Sequence, residues 1–150
     1  MKIAIGTDHG AIDYKAEIIK HLTALGHDVD DCGTNSTESC DYPDFALPVA
    51  EKVAAGIADF GILMCGTGIG MSLAANKVKG IRAAVVPNVD YAKLSKEHNN
   101  ANVICLSGRF MSLEDCKNCV DAYLNAPEFK DERHVRRINK IMEIEKDYFK

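Results

Sequence analysis

The chain has 150 residues, of which 47% are hydrophobic, and its formal net charge is -4 at pH 7. This length and composition are those of a protein with its own core, so we expect residues 1–150 to form a single domain. A negative net charge argues against binding to nucleic acid or to a membrane surface, because basic faces recognise both. Any anion must therefore be held by local cations.

The beginning of the chain carries no charged leader, long apolar stretch or small-residue cleavage site. We therefore expect a cytoplasmic protein. Six cysteines are present, and several lie inside apolar runs, as Cys65 and Cys105 do, which is typical of reduced thiols rather than a disulfide framework. Cys116 and Cys119 have the spacing of a redox or zinc motif but lack a second ligand pair, so we interpret them as structural.

Short runs rich in Ile, Val and Leu predict five buried strands. They cover Lys2 to Gly6, Asp28 to Cys32, Asp59 to Cys65, Arg82 to Val86 and Asn102 to Ser107. Helical patterns lie between them. One apolar face contains Ile12, Lys15, Ile18, Ile19, Leu22 and Leu25, another contains Phe45, Val49, Val53 and Ile57, and a further helical segment covers Met71 to Lys79.

Strands that alternate with helices require crossover connections, so the sheet should be parallel with helices on both faces. The predicted fold class is α/β, a three-layer α/β/α sandwich with a five-stranded, Rossmann-like parallel sheet. A last helical pattern from Asp131 to Tyr148 predicts a C-terminal helix that reaches a partner subunit. In such sheets ligands bind beyond the carboxyl ends of the strands, and we expect the functional site there.

The sharpest local pattern is the loop from Cys65 to Gly70, which directly follows a predicted strand and precedes a helix. Its glycines, Gly66, Gly68 and Gly70, let the backbone approach a ligand closely. A helix start behind the loop offers N–H groups to a negative oxygen and favours the thiolate form of Cys65. The loop therefore favours acid–base chemistry at a developing oxyanion.

Three other interpretations of this loop stay open. A dinucleotide site needs a glycine where Met71 stands and an acidic residue after the next strand. A phosphatase loop with a cysteine nucleophile needs an arginine soon after the thiolate, and residues 66 to 76 contain none. The loop also fits a tight strand-to-helix turn that carries Cys65 and Thr67 for no chemical reason.

Asp8 and His9 follow the first strand and should face the same rim as Cys65. As an alternative, Asp8 caps the next helix and His9 is an exposed loop residue. Further polar candidates are His98 and Asn99 before the fifth strand and Arg109 after it.

Arg133 and Arg137 stand four residues apart on the last helix, where like charges repel unless an anion lies between them. The alternative for this pair is a solvated basic face.

Several ordered motifs together resemble the family of type B ribose-5-phosphate isomerases, which includes galactose-6-phosphate and allose-6-phosphate isomerases. The resemblance spans nearly the whole chain. The motifs are Gly6-Thr7-Asp8-His9-Gly10, Asp41-Tyr42-Pro43, Cys65-Gly66-Thr67-Gly68-Ile69-Gly70, Ala74-Ala75-Asn76-Lys77, Glu97-His98-Asn99-Asn100-Ala101-Asn102, Ser107-Gly108-Arg109 and Arg133-His134-Val135-Arg136-Arg137.

The resemblance implies an aldose–ketose isomerase that passes through a cis-enediolate, with Cys65 as the carbon base. Met71 places the chain in the cysteine branch of the family, because a second branch has a carboxylate at that position. Thr67 would move protons between the two oxygens, and His98 would open the furanose ring. The backbone N–H groups of residues 66 to 70, including that of Ile69, would hold the enediolate charge.

The resemblance also implies substrate contacts. Asp8 and Asn99 would bind sugar hydroxyls, and Tyr42 would flank the pocket with Asp41 beside it. His9 and Arg109 of one subunit, with Arg133 and Arg137 of its neighbour, would grip the phosphate. A phosphate site shared in this way predicts a homodimer as the active unit, with a tetramer as the alternative assembly.

The predicted function is the interconversion of ribose 5-phosphate and ribulose 5-phosphate, with neither metal nor cofactor. One alternative is a six-carbon substrate, allose 6-phosphate or galactose 6-phosphate. The alternative from another class is a non-catalytic sensor of a sugar phosphate or nucleotide, since a fold does not fix a function.

Overall fold

The computed structural model describes residues 1–149 and contains one five-stranded parallel sheet. The strands are β1 (Lys2–Thr7), β2 (Asp28–Asp31), β3 (Phe60–Cys65), β4 (Ala83–Val85) and β5 (Val103–Ser107), in the spatial order β2-β1-β3-β5-β4. Every neighbouring pair is parallel. The predicted strands and the α/β class are confirmed, with strand bounds within one residue of the prediction.

Within residues 1–149, six α-helices connect and cover the strands. They are α1 (Ile12–Ala24), α2 (Pro43–Ala54), α3 (Ile69–Ala75), α4 (Val89–Glu97), α5 (Leu113–Leu124) and α6 (Glu132–Tyr148), and a short 3-10 helix, His9–Ala11, precedes α1. No helix within residues 1–149 is both long enough and apolar enough to cross a membrane.

The two faces of the sheet bury different kinds of residue. On one face, Ile5, Ile62 and Ile104 pack with α1 and α5, and this layer contains the larger side chains, including Phe60 and Tyr123. On the other face, α2 and α3 lie over smaller residues such as Ala4 and Cys105. The predicted three-layer sandwich is confirmed, since apolar residues alternate between two helix-covered faces.

Glycines in the strands bring α2 unusually close to the sheet. A Cβ at Gly6 would lie 2.6 Å from the carbonyl oxygen of Phe45, and one at Gly61 would lie 2.7 Å from a methyl group of Val49. Side chains at these two strand positions would push the helix outward. The close packing holds the beginning of α2, and with it Tyr42, against the carboxyl edge of the sheet.

Two predicted helix boundaries are wrong. The third helix begins at Ile69 and ends at Ala75, because the amide of Asn76 turns away to bond both backbone groups of Ala83 at 2.8 and 3.0 Å. Ile57 does not extend the apolar face of α2: the helix ends at Ala54, Gly56 has a φ of 75°, and Ile57 is 61% exposed.

The last helix, α6, contributes little to the core. Ile138 is its one buried residue, while Ile141, Ile144 and Tyr148 are exposed. Glu145 links α6 to the segment that precedes β4, because its two carboxylate oxygens each accept the N–H of Gly80 at 3.0 Å. That the helix reaches a partner subunit stays a prediction.

Candidate active site

Three neighbouring strands, β1, β3 and β5, end side by side at one edge of the sheet. Thr7 pairs with Met64, and Cys65 pairs with Ser107. The loops that leave these strands therefore begin next to one another, as the parallel topology predicts. Asp8, the Cys65 loop and Arg109 lie at this carboxyl edge, so the expectation that Asp8 and His9 share the rim of Cys65 is confirmed.

The three loops are in direct contact. The carbonyl of Gly66 accepts hydrogen bonds from Ser107 Oγ at 2.6 Å and from the N–H of Arg109 at 3.1 Å. A Cβ at Gly108 would lie 2.8 Å from Cβ of Ala11 and 3.0 Å from the carbonyl oxygen of Gly10. Glycine at position 108 is thus required by the close approach of the loop after β1 to the loop after β5.

The thiol of Cys65 lies at the base of this loop cluster. The residue is 5% exposed, and its Sγ accepts the N–H of Gly68 at 3.2 Å. Gly68 has a φ of 82° and lies against the backbone of Leu106, so only glycine fits there without strain. An N–H directed at the sulfur stabilises negative charge on it.

Thr67 is exposed at the tip of the same loop, and its Oγ1 accepts the N–H of Ile69 at 3.2 Å. This bond leaves the hydroxyl hydrogen free to point away from the helix. Met71 is fully buried in the core. The loop therefore presents one thiol and one hydroxyl at the carboxyl edge of the sheet.

Asp8 is nearly buried, and its Oδ1 accepts the N–H of Gly10 at 2.9 Å, so it does cap the short 3-10 helix. His9 is half-buried rather than an exposed loop residue. Its Nδ1 lies 3.2 Å from the N–H of Cys40, which donates to it. Because Nδ1 is occupied as an acceptor, the neutral ring carries its proton on Nε2, and that nitrogen is the one left to bind a ligand.

Tyr42 and Asp41 reach the same edge from the other side. A Cβ at Gly70 would lie 2.6 Å from two ring carbons of Tyr42, so the aromatic ring rests directly on the start of α3. Asp41 is exposed beside it.

The guanidinium of Arg109 lies over Gly66, 3.6 Å from where a Cβ would stand. It forms no ion pair with any residue the structure describes. We call the residues gathered at this edge of the sheet the thiol cluster. They are Asp8, His9, Tyr42, the loop Cys65 to Gly70, and Arg109.

The remaining predicted residues form a second group, which we call the helix-end cluster: His98, Asn99, Arg133, His134 and Arg137. His98 ends α4, and its ring stacks on that of His134 with centroids 4.1 Å apart and planes inclined by 21°. Desolvation and then the charge of His98 lower the pKa of His134, and Arg133 and Arg137 act in the same direction. Positive charge is thus concentrated at one place on α6.

The two clusters lie at opposite ends of the sheet within one chain. The helix α4 returns from the carboxyl end of β4 to the amino end of β5, so its last residue lies about 12 Å from its first. Within one chain, His98 and Asn99 therefore lie away from Cys65. The structure brings Arg109 to the thiol, and it brings Arg133 and Arg137 to His98.

Three of the other cysteines are core residues. Burial raises the pKa of Cys116 to about 12 and that of Cys119 to about 11, and it raises the pKa of the Cys105 thiol further. All three are fully buried and all six thiols are free, so the structural interpretation of Cys116 and Cys119 is confirmed.

Sequence reasoning missed two supporting residues, Cys40 and Ser107. Ser107 fixes two loops, since its Oγ donates to Gly66 and accepts the N–H of Phe110. Its position beside Gly108 and Arg109 at a strand end was the available signal. Cys40 acts through its backbone N–H, which no residue pattern reveals. Within residues 1–149, no three His, Cys, Asp or Glu side chains converge to hold a metal ion.

The fold and the thiol cluster define a class of protein, an α/β domain that gathers a thiol, a histidine and an arginine at the carboxyl edge of its parallel sheet. A model of the Ribose/Galactose Isomerase family matches residues 3–141, and the chain belongs to that family.

Individual relatives are similar over nearly the whole chain. Ribose-5-phosphate isomerase B of Escherichia coli (strain K12) is 47% identical over 144 residues, 96% of each chain. Galactose-6-phosphate isomerase subunit LacB of Clostridium acetobutylicum is 43% identical over 99% of this chain and 88% of its own. The solved structure of Clostridium thermocellum ribose-5-phosphate isomerase B superposes with a TM-score of 0.96 at 52% identity, covering 99% of both chains.

Proposed function

We propose that this chain interconverts ribose 5-phosphate and ribulose 5-phosphate through a cis-enediolate. The observation that carries the proposal is the Cys65 thiol, which lies at a strand end with the N–H of Gly68 directed at its sulfur. Relatives named for this reaction cover nearly all of the chain and support the choice of substrate.

The chemistry requires one base and a stabilised oxyanion. The Cys65 thiolate takes the proton from the carbon next to the carbonyl, and the electron pair moves onto the carbonyl oxygen to give the enediolate. Backbone N–H groups of residues 66 to 70 hold this charge, and Thr67 carries a proton between the two oxygens. The thiol then returns its proton to the neighbouring carbon, so no electrons are gained or lost overall.

The phosphate is held by cations from both clusters. His9, through its free Nε2, and Arg109 supply the grip on one side. Arg133 and Arg137 lie at the other end of the sheet from Cys65. The arginines that complete a given phosphate site therefore come from a second copy of the chain. Because the two clusters are separated within one chain, a complete site needs a homodimer, and dimers that pair into tetramers are the alternative assembly.

The sugar contacts follow the same division. Asp8 has one carboxylate oxygen beyond its capping bond to bind a hydroxyl group, and Tyr42 closes one wall with Asp41 beside it. Asn99 binds a further hydroxyl from the second copy. His98, also from the second copy, transfers the proton that opens the furanose ring. The substrate is a metabolite of the cytoplasm, where we place the protein.

A six-carbon substrate is the second candidate, because a galactose-6-phosphate isomerase subunit is 43% identical to this chain. It keeps the same base and the same enediolate chemistry. The distance between the thiol cluster and the cations of the second copy decides which sugar fits.

The test is isomerisation of ribose 5-phosphate, allose 6-phosphate and galactose 6-phosphate side by side with purified protein, with and without EDTA. We expect turnover of the pentose to exceed that of both hexoses and to be unchanged by the chelator. Turnover of a hexose alone would keep the mechanism and change the substrate. Loss of activity in EDTA would contradict the metal-free mechanism.

A further inference from the structure

Lys15 lies on the apolar face of α1, where a charged side chain is unexpected. The residue is 4% exposed, and its neighbours on this face, Ile18 and Leu22, are fully buried. Burying an ammonium group is costly unless each of its donors finds an acceptor. The contacts made by Lys15 therefore identify what it holds.

All three hydrogen-bond donors of the Lys15 ammonium are matched by one short stretch of chain. Nζ lies 2.6 Å from the carbonyl oxygen of Thr34, 2.8 Å from Oδ1 of Asn35 and 3.0 Å from Oδ2 of Asp31. Asp31 ends β2, and Thr34 and Asn35 lie near the beginning of the loop that joins β2 to α2, residues 32–42, which we call the β2–α2 loop. The middle of this loop is exposed, so Lys15 is a main source of its fixed position.

The other end of the β2–α2 loop reaches the thiol cluster. The N–H of Cys40 donates to Nδ1 of His9 at 3.2 Å, and Asp41 and Tyr42 follow directly. The loop is thus tied at its beginning to the buried ammonium and at its end to the imidazole. Its beginning also follows β1, since the N–H of Thr34 donates to the carbonyl of Thr7 at 3.2 Å.

We propose that Lys15 is a positioning residue for the phosphate site. It fastens the β2–α2 loop so that the Cys40 N–H stays on Nδ1 of His9, which keeps the ring proton on Nε2 and directs that nitrogen to the phosphate. The proposal rests on the proposed function for the identity of the ligand. The contact between loop and histidine does not depend on that function.

The principal test compares Lys15→Met, which keeps the apolar stem and removes the ammonium, with Lys20→Met on the same helix, where the side chain is 79% exposed. We expect Lys15→Met to raise the KM for ribose 5-phosphate about tenfold while kcat changes less than about threefold. Lys20→Met should match the parent. An unchanged KM in a folded Lys15→Met protein would overturn the proposal.

A double-mutant cycle with His9→Gln separates positioning from general destabilisation. If Lys15 acts through His9, Lys15→Met should add little to the KM effect of His9→Gln. Fully additive effects would contradict the proposal. Should Lys15→Met fail to fold, Asn35→Ala removes one of the three acceptors from an exposed residue, and we expect about a threefold rise in KM. No rise with Asn35→Ala would then count against the proposal.

A readout without substrate separates this proposal from the proposed function. The imidazole nitrogen signals of His9, assigned by their loss in His9→Gln, should report a proton on Nε2 in the parent and a mixture of tautomers in Lys15→Met. If the parent protein isomerises no sugar phosphate but the His9 signals differ between the parent and Lys15→Met, the proposed function is wrong and the positioning role stands. Identical His9 signals in parent and variant would overturn the positioning role.

Discussion

The thiol cluster and the helix-end cluster are built in opposite ways. Around Cys65 three loops touch, glycines stand where a Cβ would collide, and the thiol is 5% exposed. Around His98 the groups lie on the surface of two helices, and Arg137 has no ion-pair partner among the described residues. The thiol cluster is packed within one chain, whereas the helix-end cluster is an exposed group of cations in which Arg133 alone of the arginines has an acidic partner, Asp131 at 3.5 Å, among the described residues.

This difference supports the proposed division of the site between two subunits. Packed, water-excluded groups suit a proton transfer, because preorganised N–H donors act most strongly where water is absent. Long, exposed arginine side chains suit the capture of a phosphate from solution. The comparison predicts that removing the Cys65 base lowers kcat, whereas removing an arginine of the helix-end cluster raises KM and acts across subunits.

The largest effect is expected from Cys65→Ala. Removing the base should lower kcat about 10³ to 10⁴-fold, while binding of ribose 5-phosphate measured by calorimetry stays within about threefold of the parent. Cys32→Ser, which changes a half-buried thiol directly after the edge strand β2, is the matched control and should leave kcat unchanged. Full activity in Cys65→Ala would remove the proposed base and favour the sensor alternative.

The next effect concerns the helix-end cluster. Arg137→Ala should raise KM about 30-fold, since a charge-assisted bond to phosphate contributes about 2 kcal/mol. The change in kcat should be small, and Arg136→Ala, one residue away on the same helix, is the control. An unchanged KM in Arg137→Ala would contradict the phosphate grip.

Mixing Cys65→Ala with Arg137→Ala tests whether the two clusters meet across subunits. Random exchange makes half of the dimers hybrids, and each hybrid carries one site with both changes and one with neither. At substrate concentrations well below KM, the mixture should recover about a quarter of parental activity. If the mixture recovers no activity, both clusters belong to a site within one subunit, and the proposed division between subunits is wrong.

A smaller effect is expected from His98→Asn, because ring opening is one of several steps. We expect about a tenfold loss of kcat/KM on ribose 5-phosphate, which is mostly in the ring form. An aldose phosphate that cannot cyclise, such as erythrose 4-phosphate, should be affected less than about twofold. Equal losses on both substrates would argue against a ring-opening role for His98.

Apolar periodicity predicted the sheet and its helices, and the strand-end rule predicted that Asp8, Cys65 and Arg109 would meet. The end of the sheet at which His98 lies was not predicted, because periodicity and family motifs do not place a residue in the loop that precedes a strand. The burial of Lys15 was visible as a charge on an apolar face. Its partners were not, since the β2–α2 loop has no periodicity and its contacts are long-range backbone and amide groups.

The smallest effect should come from Gly70→Ala, which tests how tightly the thiol cluster is packed. The new methyl group would lie 2.6 Å from the ring of Tyr42, so the ring must move. Alanine also favours the helix by about 1 kcal/mol, so the melting temperature should change little while KM rises about threefold. In a Tyr42→Ala background there is no ring to displace, so adding Gly70→Ala should leave the KM of the Tyr42→Ala variant unchanged. If Gly70→Ala raises KM equally in both backgrounds, the effect comes from the backbone of the loop rather than from Tyr42.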